Sequence, residues 1–329
     1  MYIPVGDIVI LKDQDSFIRT MADVVKTEDY VIGTGKDAVT KKKCIVSTEE
    51  VDVKNTMWDG MGLIEDSVMP EDANGMVLLR NHFFKMCGFR TNLQLFFKDW
   101  CERTGNNYET YAIEDMFGYK HKLKDIKVLT TDNAIKWKKF MKIMSKDGSP
   151  KSAYEYWEKR VHDDGCMWGV VKTDHPSKLG EYQQMSYQMI NTLPCTKDDI
   201  QEIADTNIQY IYKLKNDPNV FEQYLRQNAN IANHYEMLAD LYQWNHDFVG
   251  TEFFKCERRV IINEYVDMLK TGKVFVDADN LTVCGNPYAL LLYSVGEDWE
   301  SDPTLNVEDG CIQCYTTRFK DGEYLAAFR

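Results

Sequence analysis

The stretch that organises the chain reads WDGMGLIEDSVMP at residues 58–70 and GMVLLRNHFFKMCGFRTNLQLFF at residues 75–97. It opens with a glycine-rich turn that contains Asp59, Gly60 and Gly62. Glycine has no Cβ and takes positive φ freely, so this composition predicts a structural turn. An apolar run interrupted by charged residues follows. The stretch therefore predicts a turn that leads into buried strands.

Two cations interrupt this apolar run. Arg80 follows the triplet Val77–Leu79, which predicts a strand, and Lys85 comes five residues later. A buried strand that carries two cations usually has an anion to meet, because an unpaired buried charge is costly. The alternative is two solvated charges at the end of a strand, since long basic side chains snorkel readily. Spacing alone leaves both interpretations open.

The charge of the chain is distributed unevenly. Its 329 residues carry a formal net charge of −13, which argues against a surface that attracts nucleic acid over its whole area. From Lys120 to Lys151, however, the chain has ten lysines and only three aspartates. Such a run is most often a solvated face, but interleaved with Tyr119, Trp137 and Phe140 it is equally suited to follow a phosphate backbone. Any basic surface is therefore local.

Cysteine usage and hydropathy indicate a soluble protein of a reducing cytoplasm. Nine cysteines are scattered along the chain, and no signal peptide is recognisable at its start. No apolar run approaches the ~20 residues needed to span a bilayer. Cys311 and Cys314 form the only close pair, and a lone C-x-x-C motif is weak evidence for zinc. The sequence therefore predicts no bound metal.

Local patterns predict alternating regions of strands and helices. Ser16–Val25 is interpreted as a short helix or turn, and helical spacing predicts a helix over Asn92–Arg103. The region 149–270 has helical periodicity, and strands return after Gly272. The predicted strands are Val5–Leu11, Tyr30–Gly33, Lys43–Ser47, those within 75–89 and 115–140, and the segments KVFVDA, NLTVCGNPYALLLYSV, GCIQCYTTRF and EYLAAFR; the further predicted helices are 154–161, 180–191, 197–215, 219–228 and 231–244.

The turn and strand of residues 58–97 resemble the first double-psi β-barrel of the two-barrel RNA polymerases. The branch concerned includes the RNA-silencing RNA-dependent RNA polymerases and the single-chain polymerases of phages and bacterial mobile elements, in which a D-G-x-G turn leads to a strand of the form Q-I-R-x-x-G-x-K-G. Asp59, Gly60 and Gly62 match the turn, and Arg80 and Lys85 match the strand with their spacing kept. The chain departs from the pattern at Leu78, Phe83 and Met86, where the family has Gln, Gly and Gly.

The resemblance also indicates a second basic position. In the family it lies in a segment of the form R-P-S-M-x-K-F after a strand, and residues 130–137 (TTDNAIKW) occupy the same place in the order. Lys136 is the matching residue and Lys139 is the alternative, although on charge alone Lys136 is one more exposed lysine. The resemblance implies that Lys85 and Lys136, supported by Arg80, neutralise charge on a triphosphate and on the RNA 3′ end. The lysines assigned to nucleic-acid binding are Lys122, Lys124, Lys138 and Lys139.

The fold that the resemblance implies is an α+β chain with a double-psi β-barrel, a mainly helical connecting region and the first strands of a second barrel. Residues 1–148 are expected to form the first barrel with a helical insertion, residues 149–271 the helical connector, and residues 272–329 the start of an incomplete second barrel. The family's entry turn corresponds to Gly285–Tyr288 (GNPY), and Arg329 corresponds to the end of the strand that follows.

The metal-binding part of the family's site has no counterpart in this sequence. Two-metal nucleotidyl transfer needs carboxylates that hold Mg²⁺ ions ~3.5–4 Å apart, which the family supplies with a D-x-D-G-D loop in the second barrel. The nearest matches, residues 163–165 (DDG) and 308–310 (EDG), are typical of acidic turns. The resemblance therefore implies the amino-terminal fragment of a catalytic core: Mg²⁺ belongs to the complete enzyme, and this chain alone binds none and is inactive.

The implied partners are a nucleic acid template, the RNA product, NTPs and the remainder of the polymerase core, in the cytoplasm of a bacterial or phage-infected cell and away from any membrane. Two other interpretations stay open. One is a non-catalytic module that binds nucleic acid through the lysine run. The other is a structural protein of a phage or mobile element, for which the acidic surface and the tyrosine-rich helices are sufficient.

Overall fold

The computed structural model describes residues 1–145, 147–175, 180–302, 305 and 314–327. These residues form a mixed α+β structure, which is the predicted fold class. The chain divides into two compact units. The first comprises Met1–His175 and Val283–Tyr315, and the second comprises Pro176–Thr282 and Thr316–Arg329, whereas the boundaries expected from the sequence lie after residues 148 and 271.

A six-stranded mixed sheet lies at the centre of the first unit. In spatial order the strands are β1 (Ile8–Leu11), β9 (Val128–Thr131), β4 (Met61–Glu65), β6 (Phe84–Thr91), β5 (Met76–Asn81) and β10 (Gly169–Thr173). Strand β1 runs parallel to β9, and β4 runs parallel to β6; the other neighbours are antiparallel.

Backbone hydrogen bonds also join the segments that precede the two edge strands of this sheet. The Trp168 N–H donates to the Met1 carbonyl oxygen at 2.7 Å, and the Ile3 N–H donates to the Cys166 carbonyl oxygen at 3.1 Å. These bonds link the residues before β1 to the residues before β10. Even so, no sheet in the described part of the chain is closed into a barrel.

Alternate residues of each strand point to opposite faces of the sheet, and both faces are buried. On one face, Leu79 and Phe84 belong to a core that also contains Trp157. On the other, Leu63 shares a second core with Trp100 and Leu290. The helices that contribute to these cores are α1 (Leu93–Thr104), α3 (Pro150–Asp163) and α9 (Pro287–Ser294).

Two strands of 18 residues, β2 (Asp15–Ile32) and β3 (Val39–Thr56), form a separate antiparallel ribbon in this unit. Every residue of β2 is paired, from Asp15 opposite Thr56 to Ile32 opposite Val39. The prediction of a short helix or turn at Ser16–Val25 is therefore wrong. β-Branched residues favour the extended conformation, and pairing with a distant strand decides the outcome, which no local pattern reveals.

The segment between α1 and α3 contains the short strands of the lysine-rich run. Strands β7 (Ala112–Glu114) and β8 (Lys120–Lys122) pair as a small antiparallel ribbon, and β9 follows. The helix α2 (Met141–Met144) precedes α3. The strands predicted within 115–140 are therefore confirmed as β8 and β9, and the helix predicted over Asn92–Arg103 is confirmed as α1.

The second unit is mainly helical, as the periodicity predicted for most of its length. Leu214, Phe221 and Phe254 are fully buried at the centre of its core. No described helix is both long enough and apolar enough to cross a membrane. The helices are α4 (Tyr187–Thr192), α5 (Lys197–Asn216), α6 (Pro218–Asn228), α7 (Tyr235–Trp244) and α8 (Glu252–Lys270), and β11 (Tyr182–Gln184) pairs with β12 (Phe275–Asp277).

The strands predicted after Gly272 are largely wrong. Only β12, within KVFVDA, is a strand among the described residues of this region. Residues 287–294 form the helix α9 because Asn286 accepts the Ala289 N–H at 3.0 Å and Pro287 occupies the first helical position. The first strands of a second barrel are therefore not present there, and Arg329, like residues 308–310, lies outside the described residues.

Candidate anion-binding site

The candidate site is built on the tip of the β5–β6 hairpin. Asn81 pairs with Phe84, so His82 and Phe83 form a two-residue turn. Both have positive φ, 33° and 63°, a conformation in which Asn and Gly are strongly preferred. The His82 ring contacts the carboxylate of Asp164, which fixes one of the two turn side chains.

Arg80 and Lys85 lie directly opposite each other across this hairpin. Both side chains are exposed, and residues opposite each other in an antiparallel pair lie on the same face, so the two cations are neighbours. Within the described residues, neither forms an ion pair with a carboxylate. Like charges placed opposite each other destabilise the strand pair, and a bound anion relieves that repulsion.

The segment after β9 brings a third cation to the hairpin. The Lys136 N–H donates to the Phe83 carbonyl oxygen at 2.7 Å, and Ile135 forms a β-bridge with Phe84. The Lys136 side chain is exposed, and its ammonium donates to the Asn133 carbonyl oxygen. Two segments far apart in the sequence thus meet at the hairpin tip, and Lys136 brings a third positive charge that no described carboxylate neutralises.

Lys138 and Lys139, both proposed from the sequence, differ in their surroundings. The Lys138 ammonium donates to the Asp132 carboxylate, which also accepts from Lys12 at 2.6 Å. Lys139 is exposed, forms no ion pair within the described residues and adjoins Phe140. Of these two lysines, Lys139 is therefore the one available to a ligand.

Asp132 is a buried carboxylate whose negative charge is neutralised by lysines of the same chain. Its residue is 1% exposed, and besides the two lysines it accepts the Asp13 N–H at 3.0 Å. Burial favours the protonated acid, but the hydrogen bonds from Lys12, Lys138 and the Asp13 N–H outweigh it and lower the pKa of Asp132. The same contact raises the pKa of Lys12. Asp132 therefore stabilises the cluster that it forms with Lys12, Asp13 and Lys138, called here the Asp132 corner.

Asp13 and Asp132 do not fit a magnesium site. Asp13 accepts from the Thr131 hydroxyl at 2.9 Å and from the Asn133 amide at 2.8 Å through one oxygen, and from the Gln14 N–H at 2.9 Å through the other. Mg²⁺ needs carboxylate oxygens that are free to coordinate. The described residues also contain no group of three or more side chains suited to hold a metal ion. The cations and not the carboxylates define the chemistry of this site.

The glycine turn lies beside this corner. Gly60 has φ 77° and follows Asp59 in a tight turn in which the Met61 N–H donates to the Trp58 carbonyl oxygen. Gly62 lies in β4, where a Cβ would come within 2.2 Å of the Met86 sulfur. The positive φ of Gly60 and the close approach of the Met86 side chain to Gly62 therefore give both glycines a structural explanation.

Lys122 and Lys124, which the sequence grouped with Lys138 and Lys139, lie elsewhere. Lys122 ends β8 and Lys124 donates to Glu109 at 2.8 Å, both before the start of β9. Lys136 and Lys138 follow the end of the same strand. Because β9 runs between the two groups, the lysine run is divided between opposite ends of the sheet.

An aromatic pair beside the cations was missed by the sequence reasoning. Phe83 and Phe140 lie with their ring centroids 5.4 Å apart and are 63% and 42% exposed. The sequence pattern marks Phe83 only as a departure from a glycine. The signal that could have revealed the pair is a bulky residue in a hairpin turn where glycine is expected.

No protein-family model, curated protein or solved structure matches the chain. The candidate site is therefore defined by its own residues and their contacts.

Proposed function

We propose that the chain supplies the cationic part of a nucleotidyl-transfer site, as the lysine-bearing barrel of a template-directed RNA polymerase. The observation that carries this proposal is the cation cluster at the hairpin tip, where Arg80 lies opposite Lys85 and Lys136 is hydrogen bonded to Phe83. In the family that the sequence resembles, the matching cations contact NTP and RNA phosphates. The proposed ligands are accordingly an NTP and the 3′ end of an RNA.

The same proposal assigns the six-stranded sheet to a double-psi β-barrel. The parallel pairs β1–β9 and β4–β6 support this assignment. So do the hydrogen bonds between residues 1–3 and 166–168, because they bring the two edges of the sheet towards each other.

Arg80, Lys85 and Lys136 contribute to the chemistry through their positive charge. Negative charge accumulates on the phosphoryl group as it is transferred, and fixed cations lower the energy of that state. Lys85 and Lys136 act as point charges that hold the phosphates in line, and Arg80 grips a phosphate through two N–H groups. Asp13 and Asp132 are engaged by hydrogen bonds within the protein, and the proposal assigns the metal that activates the 3′ hydroxyl in such enzymes to other residues of a complete polymerase.

Photo-crosslinking tests this assignment. An RNA with a 3′-terminal 4-thiouridine is bound to the chain, irradiated, and the modified peptides are identified by mass spectrometry. We expect crosslinks within 76–91 and 132–140, reduced by Lys85→Ala and unchanged by Lys215→Ala, which removes the same charge from an exposed position of α5. Crosslinks confined to the second unit would remove the hairpin from the site.

A non-catalytic nucleic-acid-binding module is the second candidate. The observation that favours it is that Asp13 and Asp132, the carboxylates next to these lysines, are both engaged by hydrogen bonds within the protein. The two candidates differ in their use of NTPs. A polymerase site binds a photoreactive ATP analogue that inorganic triphosphate displaces from the hairpin, whereas a binding module retains RNA and ignores the nucleotide.

A further inference from the structure

We infer that Phe83 and Phe140 form a stacking platform for an unpaired base of single-stranded nucleic acid. This inference rests on the proposed function and specifies its ligand: a strand whose bases are exposed, held by its phosphates on the neighbouring cations and by one base on the aromatic rings. It assigns a role to the position at which the chain departs most visibly from the glycine of the family pattern.

The exposure of the two rings sets them apart from the aromatic residues beside them. Phe83 is 63% exposed and Phe140 is 42% exposed, whereas Phe84, the next residue in the chain, is 2% exposed and lies in the core. The rings of Phe83 and Phe140 are tilted by 41° with centroids 5.4 Å apart. The pair therefore presents apolar ring surface to solvent at the tip of the hairpin.

The backbone at Phe83 is strained, so folding alone does not explain a phenylalanine at this position. Its φ of 63° lies in the left-handed region, where a bulky side chain is strained and glycine is not. The contact that this residue makes with Lys136 uses the Phe83 carbonyl oxygen, which glycine would supply equally well. His82, in the same turn, contacts Asp164 through its ring, whereas the Phe83 ring lies against the exposed ring of Phe140.

The charges around the pair select the ligand. Arg80 and Lys85 lie on the two strands that the His82–Phe83 turn joins, the Lys136 N–H donates to the Phe83 carbonyl oxygen, and Lys139 directly precedes Phe140. No described carboxylate forms an ion pair with any of these four cations. Aromatic side chains interleaved with cations bind single strands, because every base has a face to stack while the phosphates follow the positive charge. A duplex keeps its base faces inside the stack and cannot use the rings. A protein partner with an apolar patch is less suited, since it leaves the cations without anions.

Phe83→Gly is the test, because it separates stability from binding. Glycine relieves the strained φ, so we expect the melting temperature to stay the same or rise by a few degrees. Loss of one stacked base should weaken the affinity for a short single-stranded oligouridine by about 5- to 160-fold. Binding of an oligonucleotide with abasic sites should not change, and Phe83→Tyr should restore the affinity. Phe253→Ala, an exposed phenylalanine of the second unit, is the matched control.

The outcomes distinguish this inference from the function on which it rests. If Lys85→Ala loses binding and Phe83→Gly binds oligouridine as the wild type does, the platform is disproved and the cation site stands. A wild-type preference for duplex RNA over the single strand also disproves the platform. If the wild-type chain binds no RNA at low salt, both the platform and the proposed function are wrong.

Discussion

Arg80 and Lys85 are paired in register across the β5–β6 hairpin and have no carboxylate partner among the described residues. A sheet that places two cations opposite each other loses stability unless an anion lies between them. A phosphate bound between Arg80 and Lys85 therefore stabilises the hairpin by relieving their repulsion. The pairing of the two cations also makes stability and binding respond in opposite directions when one of the two charges is reversed.

Charge reversal at one member of this pair is the first prediction. Lys85→Glu places a carboxylate opposite Arg80, and the cross-strand ion pair should raise the free energy of unfolding by about 0.2–1 kcal/mol. The same change should abolish RNA binding, because a phosphate then meets a negative charge. Urea unfolding and fluorescence anisotropy measure the two effects. Lys85→Arg, which keeps both positive charges, should alter neither by much, and RNA binding that survives Lys85→Glu would contradict the account.

The Asp132 corner gives a second prediction. Asp132→Asn should lower the free energy of unfolding by roughly 1–3 kcal/mol, because the buried partner of Lys12 and Lys138 loses its charge. It also releases two ammonium groups near the candidate site, so RNA affinity at low salt should increase. Asp66→Asn, which removes the charge of a more exposed carboxylate paired with Arg90, is the control and should be milder on both counts. Unchanged stability in Asp132→Asn would show that the corner is not held by this carboxylate.

The low-pH limb of stability should also depend on Asp132. Its pKa is lowered in the folded state, so its contribution is present above the unfolded value of about 3.9 and is lost as the pH falls through the lower folded value. Urea unfolding at decreasing pH measures this loss. Asp132→Asn should flatten the curve below about pH 4. If the free energy of unfolding of Asp132→Asn falls at low pH as steeply as that of the wild type, other carboxylates cause the loss.

The contribution of His121 to stability should depend on pH in the opposite direction to that of Asp132: it should be lost as the pH rises. Burial alone lowers the pKa of His121, but hydrogen bonds to Asp115 and to the Gly6 carbonyl oxygen outweigh it, and the pKa is raised. This contribution is therefore complete below the unfolded value of about 6.5 and is lost as the pH rises through the folded value. His121→Gln should remove the decline, whereas His246→Gln, at an exposed position, should keep it. A decline that persists in His121→Gln would exclude this histidine as its source.

The long ribbon should be dispensable for the fold of the first unit. The Met57 N–H donates to the Gln14 carbonyl oxygen at 2.9 Å, so the ribbon is closed at its base, and its strands pair only with each other. Replacing residues 16–55 by Asn-Gly should leave the free energy of unfolding within about 1 kcal/mol of the wild type, measured by urea unfolding. Collapse of the fold in that variant would mean that the ribbon supports the core.

The sequence predicted the parts of the structure that depend on local patterns. Asn92–Arg103 and the helices at 197–215 and 219–228 have clear helical spacing, and each forms a helix. The prediction of a strand at residues 287–294 was wrong because an unbroken apolar run does not distinguish a strand from a buried helix. The helix cap at Asn286 was the informative signal. The prediction of a helix or turn at Ser16–Val25 was wrong because these residues pair with β3, which lies farther along the chain.

The candidate site was predictable in its residue types but not in its arrangement. The sequence predicts that Arg80 and Lys85 lie on one buried strand, whereas the structure places them, both exposed, opposite each other on the two strands of a hairpin. The neutralisation of Lys138 by Asp132 and the separation of Lys122 from Lys136 by the length of β9 depend on tertiary contacts. No charge count along the sequence contains that information.

The salt dependence of RNA binding tests the central claim most directly. The logarithm of the affinity of the chain for a short single-stranded RNA is plotted against the logarithm of salt concentration, for the wild type and for Lys85→Ala with Lys136→Ala. The account predicts measurable binding at low salt and a slope that becomes shallower by about 0.7 for each lysine removed. Lys215→Ala should leave the slope unchanged. Equal slopes and equal affinities for the wild type and the double variant would contradict the claim that this hairpin is where the chain meets phosphate.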